Sequence, residues 1–227
     1  MLITGFEKNT LVDYPGKVAS IVFTYGCNLR CGYCHNPELV TLPCKKENII
    51  NEKEVFSHLK KRSGLIEGLV ITGGEPTLQP DLIPFIKKVK ELDMLVKLDT
   101  NGLLSEKVEM ILDEKIVDYW AMDVKYPSQY YKEYGIDINA VKKSIKLIMD
   151  RAKDYEFRTT FVKGIHNLDD VEKIGELIKG AKRYYIQNFR KGKTIDKKLD
   201  SRNSFTDKEL KKIEKILSKY VKDISIR

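Results

Sequence analysis

Val18-Ala19-Ser20-Ile21-Val22-Phe23-Thr24-Tyr25 runs directly into Gly26-Cys27-Asn28-Leu29-Arg30-Cys31-Gly32-Tyr33-Cys34-His35-Asn36-Pro37. The first stretch is rich in β-branched and aromatic residues and reads as a buried strand. The second has two glycines, a closing proline and three thiols, so it reads as a loop at the strand's carboxyl end. Five more β-rich runs follow, at 68–72, 94–99, 117–123, 156–162 and 183–189. Amphipathic stretches separate them, near 52–62, 81–92, 106–114, 139–153 and 168–180. Strand–helix alternation implies right-handed βαβ units and a parallel sheet, hence an α/β fold. Six strands fall short of the eight of a closed barrel. A partial (β/α)6 barrel and an open doubly wound sheet both satisfy the periodicity.

Local signals support the helices. Leu82, Ile83, Phe85, Ile86 and Val89 have the spacing of a buried stripe. Asn51 followed by Glu54 predicts an N-cap with a capping acid, and Thr206 with Glu209 predicts a capping box. That box opens a last helix over about 207–220, with Leu210, Ile213, Ile216, Leu217 and Tyr220 on its apolar face.

The 227 residues suit a single domain over 1–227, with a cysteine loop at 26–36 and a C-terminal helical extension from about 191 to 227. Within that extension, residues 191–205 are basic and polar, and read as a partner-docking strap or a linker. An apolar content of 42% excludes wholesale disorder. No stretch approaches the ~20 apolar residues of a membrane span, so no membrane association is expected. The opening Met1–Glu7 has neither a charged n-region nor a long apolar core, so no signal peptide and a cytoplasmic location are expected. Lys plus Arg is 41 and Asp plus Glu is 33, a net charge of +8. The basic residues are scattered, which fits a solvated Lys/Glu surface better than a nucleic-acid footprint.

In parallel α/β folds the chemistry gathers at the carboxyl ends of the strands. The unusual polar residues of this chain fall there. The cysteine loop follows the first run, Thr72-Gly73-Gly74-Glu75-Pro76 the second, and Asp99-Thr100-Asn101-Gly102 the third. Asp123-Val124-Lys125 follows the fourth run, His166 lies just beyond the fifth, and Gln187 sits near the end of the sixth.

Cys27, Cys31, Cys34 and Cys44 fall within eighteen residues, and the other 209 residues contain no cysteine. Thiols this close gain little from cross-linking, so metal or redox chemistry is the better reading. A structural zinc site normally has two ligand pairs a dozen or more residues apart. A C-x3-C-x2-C loop can instead wrap three corners of a cubane. A four-iron cluster usually takes four cysteines, so three leave one iron open. Cys44 lies beyond Pro37 and Pro43 and is read as a non-ligand. A zinc-stabilised, basic nucleic-acid-binding module remains a rival. It accounts for thiols and charge but not for the GGEP, DTNG and DVK runs.

The cysteine spacing after the first strand, with Tyr33 before the third cysteine and Gly73-Gly74-Glu75-Pro76 downstream, resembles the radical S-adenosylmethionine superfamily. The resemblance runs from Gly5 to the final helix and implies a single domain of the partial (β/α)6 barrel type. Cys34-His35-Asn36-Pro37-Glu38-Leu39, the DTNG run and Asp123-Val124-Lys125 resemble the glycyl-radical-enzyme activases. Leu11-Val12-Asp13-Tyr14-Pro15-Gly16-Lys17 and Gln187-Asn188-Phe189-Arg190 resemble, more narrowly, the activating proteins of anaerobic ribonucleoside-triphosphate reductase.

The resemblance implies a [4Fe-4S] cluster on Cys27, Cys31 and Cys34. It implies S-adenosylmethionine held by Tyr33, Gly73, Gly74, Glu75, Asp99, Asn101, Lys125 and His166. A monovalent cation on Asp99, Thr100 and Asp123 would sit near the sulfonium. The implied activity is reductive cleavage of S-adenosylmethionine and removal of a hydrogen atom from a glycine of a glycyl-radical enzyme, the anaerobic ribonucleotide reductase being the expected partner. A flavodoxin or ferredoxin would supply the electron, and a positively charged protein favours an acidic donor. A rival within the same chemistry is a small-molecule enzyme acting on a deazaguanine precursor.

Overall fold

The computed structural model describes residues 1–41, 43–133 and 135–227. The six expected strands are present as β2 to β7, flanked by two more. They are β1 (Ile3–Thr10), β2 (Ala19–Thr24), β3 (Gly68–Gly73), β4 (Leu95–Thr100), β5 (Tyr119–Asp123), β6 (Tyr155–Phe161), β7 (Arg183–Asn188) and β8 (Asp223–Ile226). All eight lie in one sheet in chain order. β1 is antiparallel to β2, and every later pair is parallel. Consecutive order settles what periodicity left open, because a doubly wound sheet reverses its strand order partway. The chain winds one way only, as a partial barrel with β1 and β8 at its edges.

The helices are α1 (Glu52–Lys61), α2 (Leu82–Lys90), α3 (Ser105–Glu114), α4 (Ser128–Glu133), α5 (Ile138–Arg151), α6 (Leu168–Leu177) and α7 (Asp207–Leu217). Asn51 caps α1 by accepting the Lys53 backbone N–H. Both arms of the Thr206–Glu209 capping box form. Three elements fall outside the sequence reading: β1, α4 and β8. The Glu7-Lys8-Asn9 stretch of β1 is exposed, so its alternation is blurred. Gly5 is required there because a Cβ would meet the Phe23 ring at 2.9 Å. β8 is four residues long and half exposed, and it makes the 191–227 extension a helix plus a sheet edge. Among the described residues no helix is long and apolar enough to cross a membrane.

The two faces of the sheet differ. Val22, Leu69, Ile71, Val96, Leu98, Trp120, Met122 and Phe157 point outward into the main core with Leu82, Phe85, Ile86 and Val89 of α2. Alternation puts Ala19, Ile21, Val70 and Tyr119 on the inner face, where they pack around Tyr14. Tyr14 belongs to the 11–17 loop and seals the amino end of the partial barrel, its ring 5.9 Å from that of Tyr119. Toward the carboxyl ends the inner face becomes charged, with Lys97, Asp99, Asp123, Glu156 and Arg158. The closed apolar end thus leaves the chemistry to the opposite one.

Phe85 is 1% exposed and packs on Phe56 at 5.2 Å. We expect Phe85→Ala to lower unfolding free energy by about 3–5 kcal/mol, measured by urea titration.

Candidate active site

The cysteine loop leaves β2 through Gly26, whose φ of +94° favours glycine. Its seat is the exit of β3. The Gly26 carbonyl accepts the Glu75 N–H at 2.7 Å, and the Thr24 carbonyl accepts the Gly74 N–H at 2.9 Å. A Cβ on Gly74 would fall 2.0 Å from the Gly26 oxygen, so no other residue permits this approach. Gly73 is equally constrained, with φ +119° and a Cβ position 2.3 Å from the Thr24 nitrogen. The two glycines therefore serve the loop's docking as well as lining the cavity beside it.

Cys27, Cys31 and Cys34 are free, partly exposed thiols. Cys31 and Cys34 are joined by a turn in which the Cys34 N–H donates to the Cys31 carbonyl at 3.0 Å. The Leu29 N–H donates to Cys27 Sγ at 3.4 Å. Burial pushes the Cys27 thiol up to about 11 and raises Cys34, each partly offset by a backbone N–H. Cys44 lies apart, in a separate recess with Thr4, Tyr25 and Glu38. Among the described residues no three His, Cys, Asp or Glu side chains are arranged to hold a single metal ion. A cluster with several irons offers a separate corner to each thiol. Three soft donors on one loop, with no fourth cysteine beside them, fit a site-open iron–sulfur cluster better than a closed zinc site.

A cavity of about 210 Å³ adjoins the loop. Of the residues predicted to bind S-adenosylmethionine, Tyr33, Gly73, Gly74, Glu75, Asp99, Asn101 and Lys125 line it. Glu75 does so as a brace. Its carboxylate accepts from Thr77 N (3.1 Å), Thr77 Oγ1 (2.6 Å), Thr100 Oγ1 (2.8 Å) and Asn101 N (2.7 Å). Burial pushes this carboxyl above the ordinary range, and the four donors oppose the shift. The brace ties the exit of β3 to that of β4. Asn101 continues the chain of contacts by donating to Asn28 Oδ1 at 2.8 Å, with its Nδ2 4.0 Å from Cys27 Sγ.

His166 is not brought into the cavity. It is 3% exposed, its Nδ1 accepts the Val162 N–H at 3.0 Å, and its Nε2 lies 2.9 Å from the Lys125 carbonyl. Burial lowers its pKa. The ring stacks on Tyr126 at 5.8 Å and meets Tyr33 edge-on at 6.3 Å. With both nitrogens engaged by backbone, it holds the Lys125 backbone and the Tyr33 ring in place from behind.

Asp99, Thr100 and Asp123, the expected cation ligands, meet side chains of the protein instead. Arg158 of β6 lies between the two aspartates, donating to Asp99 Oδ2 at 2.9 Å and to Asp123 Oδ1 at 2.5 Å. Lys97 pairs with Asp99 at 2.5 Å and Lys125 with Asp123 at 2.9 Å. Burial acts against both carboxylates, but Arg158 holds them below the usual range. Burial likewise opposes the charge on Lys125, and Asp123 overrides it. The sequence reading missed Arg158 and Lys97. The available signal was alternation: Glu156-Phe157-Arg158 and Lys97-Leu98-Asp99 place charge, apolar residue and charge within buried strands.

A second, larger cavity of about 710 Å³ opens beside the first. His35, Arg158 and Thr160 line both. The larger one is completed by Val12 and Asp13 from the loop after β1, by Gln187, Asn188 and Arg190, and by Arg227. His35 is fixed by its Nε2 contact with the Arg190 carbonyl at 2.8 Å and by stacking on Phe189 at 5.5 Å.

Residues 21–178 match the Radical SAM superfamily. A protein of Methanocaldococcus jannaschii, provisionally named a glycyl-radical enzyme activating enzyme, is 33% identical over 100% of this chain and 95% of its own length. The pyruvate formate-lyase-activating enzyme of Clostridium pasteurianum is 30% identical over 95% of this chain and 96% of its own. Among solved structures, Streptococcus suis SuiB bound to S-adenosylmethionine superposes with a TM-score of 0.65 at 16% identity, over 91% of this chain and 51% of that one. The last similarity concerns the fold alone. From the Gly74–Gly26 contact we expect Gly74→Ala to displace the cysteine loop. Iron bound after anaerobic reconstitution should fall several-fold, while far-ultraviolet circular dichroism stays near wild type.

Proposed function

The chain belongs to the Radical SAM superfamily, and we propose that it is the activating enzyme of an anaerobic ribonucleoside-triphosphate reductase, installing a glycyl radical on that partner. Enzymes of this superfamily use a [4Fe-4S] cluster and S-adenosylmethionine. When bound, the cluster supplies the electron that splits S-adenosylmethionine into methionine and a 5′-deoxyadenosyl radical able to take a hydrogen atom from glycine.

The residues of this chain have separable tasks in that reaction. Cys27, Cys31 and Cys34 would hold the cluster. Lys125 presents a point charge suited to the methionine carboxylate. The Gly73–Gly74 backbone lies bare along the cavity, open to the methionine ammonium. Asn101 and Tyr33 bound the adenosyl side. Tyr33 is 4% exposed and backed by Tyr126, at 6.0 Å, and His166, so it also keeps water from the thiols. Asp99 and Asp123 act through Arg158 and Lys125, keeping the charged floor of the cavity fixed.

One observation carries the choice of a protein substrate. Two stretches far apart in sequence, 11–17 and 187–190, bear the resemblance to the ribonucleotide reductase activators. Val12 and Asp13 of the first and Gln187, Asn188 and Arg190 of the second meet in the larger cavity. That cavity shares a wall with the smaller one and lies where the partial barrel is open between β1 and β8. A loop of another protein can enter there, with its glycine against the shared wall. Val12, 80% exposed, gives the larger cavity an apolar edge for the entering chain. A low-potential donor, a flavodoxin or ferredoxin, completes the set of partners.

Anaerobic reconstitution followed by iron and sulfide analysis should show cluster loss in Cys27→Ala, Cys31→Ala and Cys34→Ala, and retention in Cys44→Ala. Lys125→Ala should keep its cluster and bind S-adenosylmethionine about tenfold more weakly, the loss of one charge-assisted contact. The partner is tested by incubating reduced holoprotein and S-adenosylmethionine with anaerobic ribonucleotide reductase and recording electron paramagnetic resonance. A glycyl-radical signal is expected. Release of 5′-deoxyadenosine without that signal, but with turnover of a deazaguanine precursor, would move the assignment to the small-molecule reading.

A further inference from the structure

The resemblance to the glycyl-radical-enzyme activases places a monovalent cation on Asp99, Thr100, Asp123 and a backbone carbonyl, and the three side chains do not fit one. Each of their side-chain oxygens is already engaged. Asp99 Oδ1 accepts from Lys97 at 2.5 Å and Oδ2 from Arg158 at 2.9 Å. Asp123 Oδ1 accepts from Arg158 at 2.5 Å and Oδ2 from Lys125 at 2.9 Å. Thr100 Oγ1 donates to Glu75 at 2.8 Å and accepts the Gly102 N–H at 3.1 Å. Charge points the same way. Lys97, Lys125, Arg158 and Arg227 face Asp99, Asp123 and Glu156 on this surface, with Glu156 paired to Arg227 at 3.3 Å and 3.9 Å from Arg158. With Glu75, which Thr100 contacts and which lines the same cavity, four cations already balance four carboxylates, and a metal ion would add an uncompensated charge.

We infer that Arg158 is the built-in cation of this site: it takes the place of a monovalent metal ion between Asp99 and Asp123 and frees the enzyme from any need for added potassium or sodium. A guanidinium suits the position because its planar fork reaches two carboxylates in fixed directions and does not lose its proton. An ammonium or a metal ion would bind as a point charge. The placement also makes Arg158 a positioning residue. By neutralising one oxygen of Asp123 it leaves the other to orient Lys125, and it forms part of the wall between the two cavities. The inference rests on reading the smaller cavity as the S-adenosylmethionine site, and is independent of which protein is the partner.

The test uses cluster-reconstituted protein in potassium, sodium or choline chloride at one ionic strength. Two quantities are read: the S-adenosylmethionine dissociation constant by equilibrium dialysis, and the thermal unfolding midpoint. Wild type should give dissociation constants within about twofold across the three salts, since only general screening differs little between them. Arg158→Gln should bind about tenfold more weakly in choline, because two buried carboxylates lose their shared partner, and should recover in potassium or sodium. Its unfolding midpoint should rise selectively with the same cations. Arg158→Lys should resemble wild type more than Arg158→Gln does. A wild-type protein whose affinity or midpoint rises markedly with potassium or sodium overturns the inference. So does a folded Arg158→Gln variant whose defects are equal in all three salts, which is the outcome of a purely structural role. Wild type that binds no S-adenosylmethionine in any salt counts against the cofactor reading. The cation response of the Arg158→Gln unfolding midpoint then decides the inference by itself.

Discussion

The contact between two strand exits, Gly26 on Gly74, is the constraint from which the rest of the site follows. A carbonyl from the cysteine loop reaches the Glu75 N–H at 2.7 Å only because Gly74 has no side chain. That single approach sets the height of the thiols above the sheet. Glu75 then passes the position on. Buried at 1% exposure, its carboxylate must find partners or pay heavily in desolvation, and the partners are Thr77, Thr100 and Asn101. The exits of β2, β3 and β4 are thereby fixed to one another before any ligand arrives. Preorganisation of this kind lowers the cost of holding a reactive group in place.

The inner face of the sheet imposes a second condition. Helices can cover only the outer face of a partial barrel, so the inner face needs another way to satisfy itself. At the amino end Tyr14 and its neighbours do this with apolar packing. At the carboxyl end the chain uses ion pairs instead, Lys97 with Asp99, Arg158 with Asp99 and Asp123, and Lys125 with Asp123. Such pairs contribute little net stability after desolvation. Their value here is geometric. They line a cavity with charges that cannot wander, beside a site where a charged cofactor must be oriented.

Much of this was legible in the sequence because it rests on local rules. The six parallel strands, the buried stripe of α2 and the Thr206–Glu209 cap all follow from periodicity and capping chemistry. The gathering of Gly73–Gly74, Asp99, Asn101 and Lys125 at one end of the sheet follows from strand polarity. What stayed hidden depends on tertiary pairing. β1 and β8 are edge strands whose exposed residues weaken the alternation, and they become strands only because β2 and β7 offer unpaired edges. A histidine in a loop gives no hint that its two nitrogens will find the Val162 N–H and the Lys125 carbonyl. Arg158 stands in a buried strand, but nothing local says which carboxylates it meets 35 and 59 residues away. The convergence of 11–17 with 187–190 is likewise a product of the sheet's curvature, which brings its two open edges near one cavity.

The proposed chemistry needs a metal corner without a protein ligand beside the smaller cavity, and on this proposal the three-thiol loop, which adjoins that cavity, supplies it. The most direct test is Mössbauer spectroscopy of the protein reconstituted with ⁵⁷Fe, before and after S-adenosylmethionine is added. The account predicts that one iron of the four-iron cluster changes its isomer shift and quadrupole splitting toward higher coordination while the other three stay as they were. Four equivalent irons, unmoved by the addition, would contradict it.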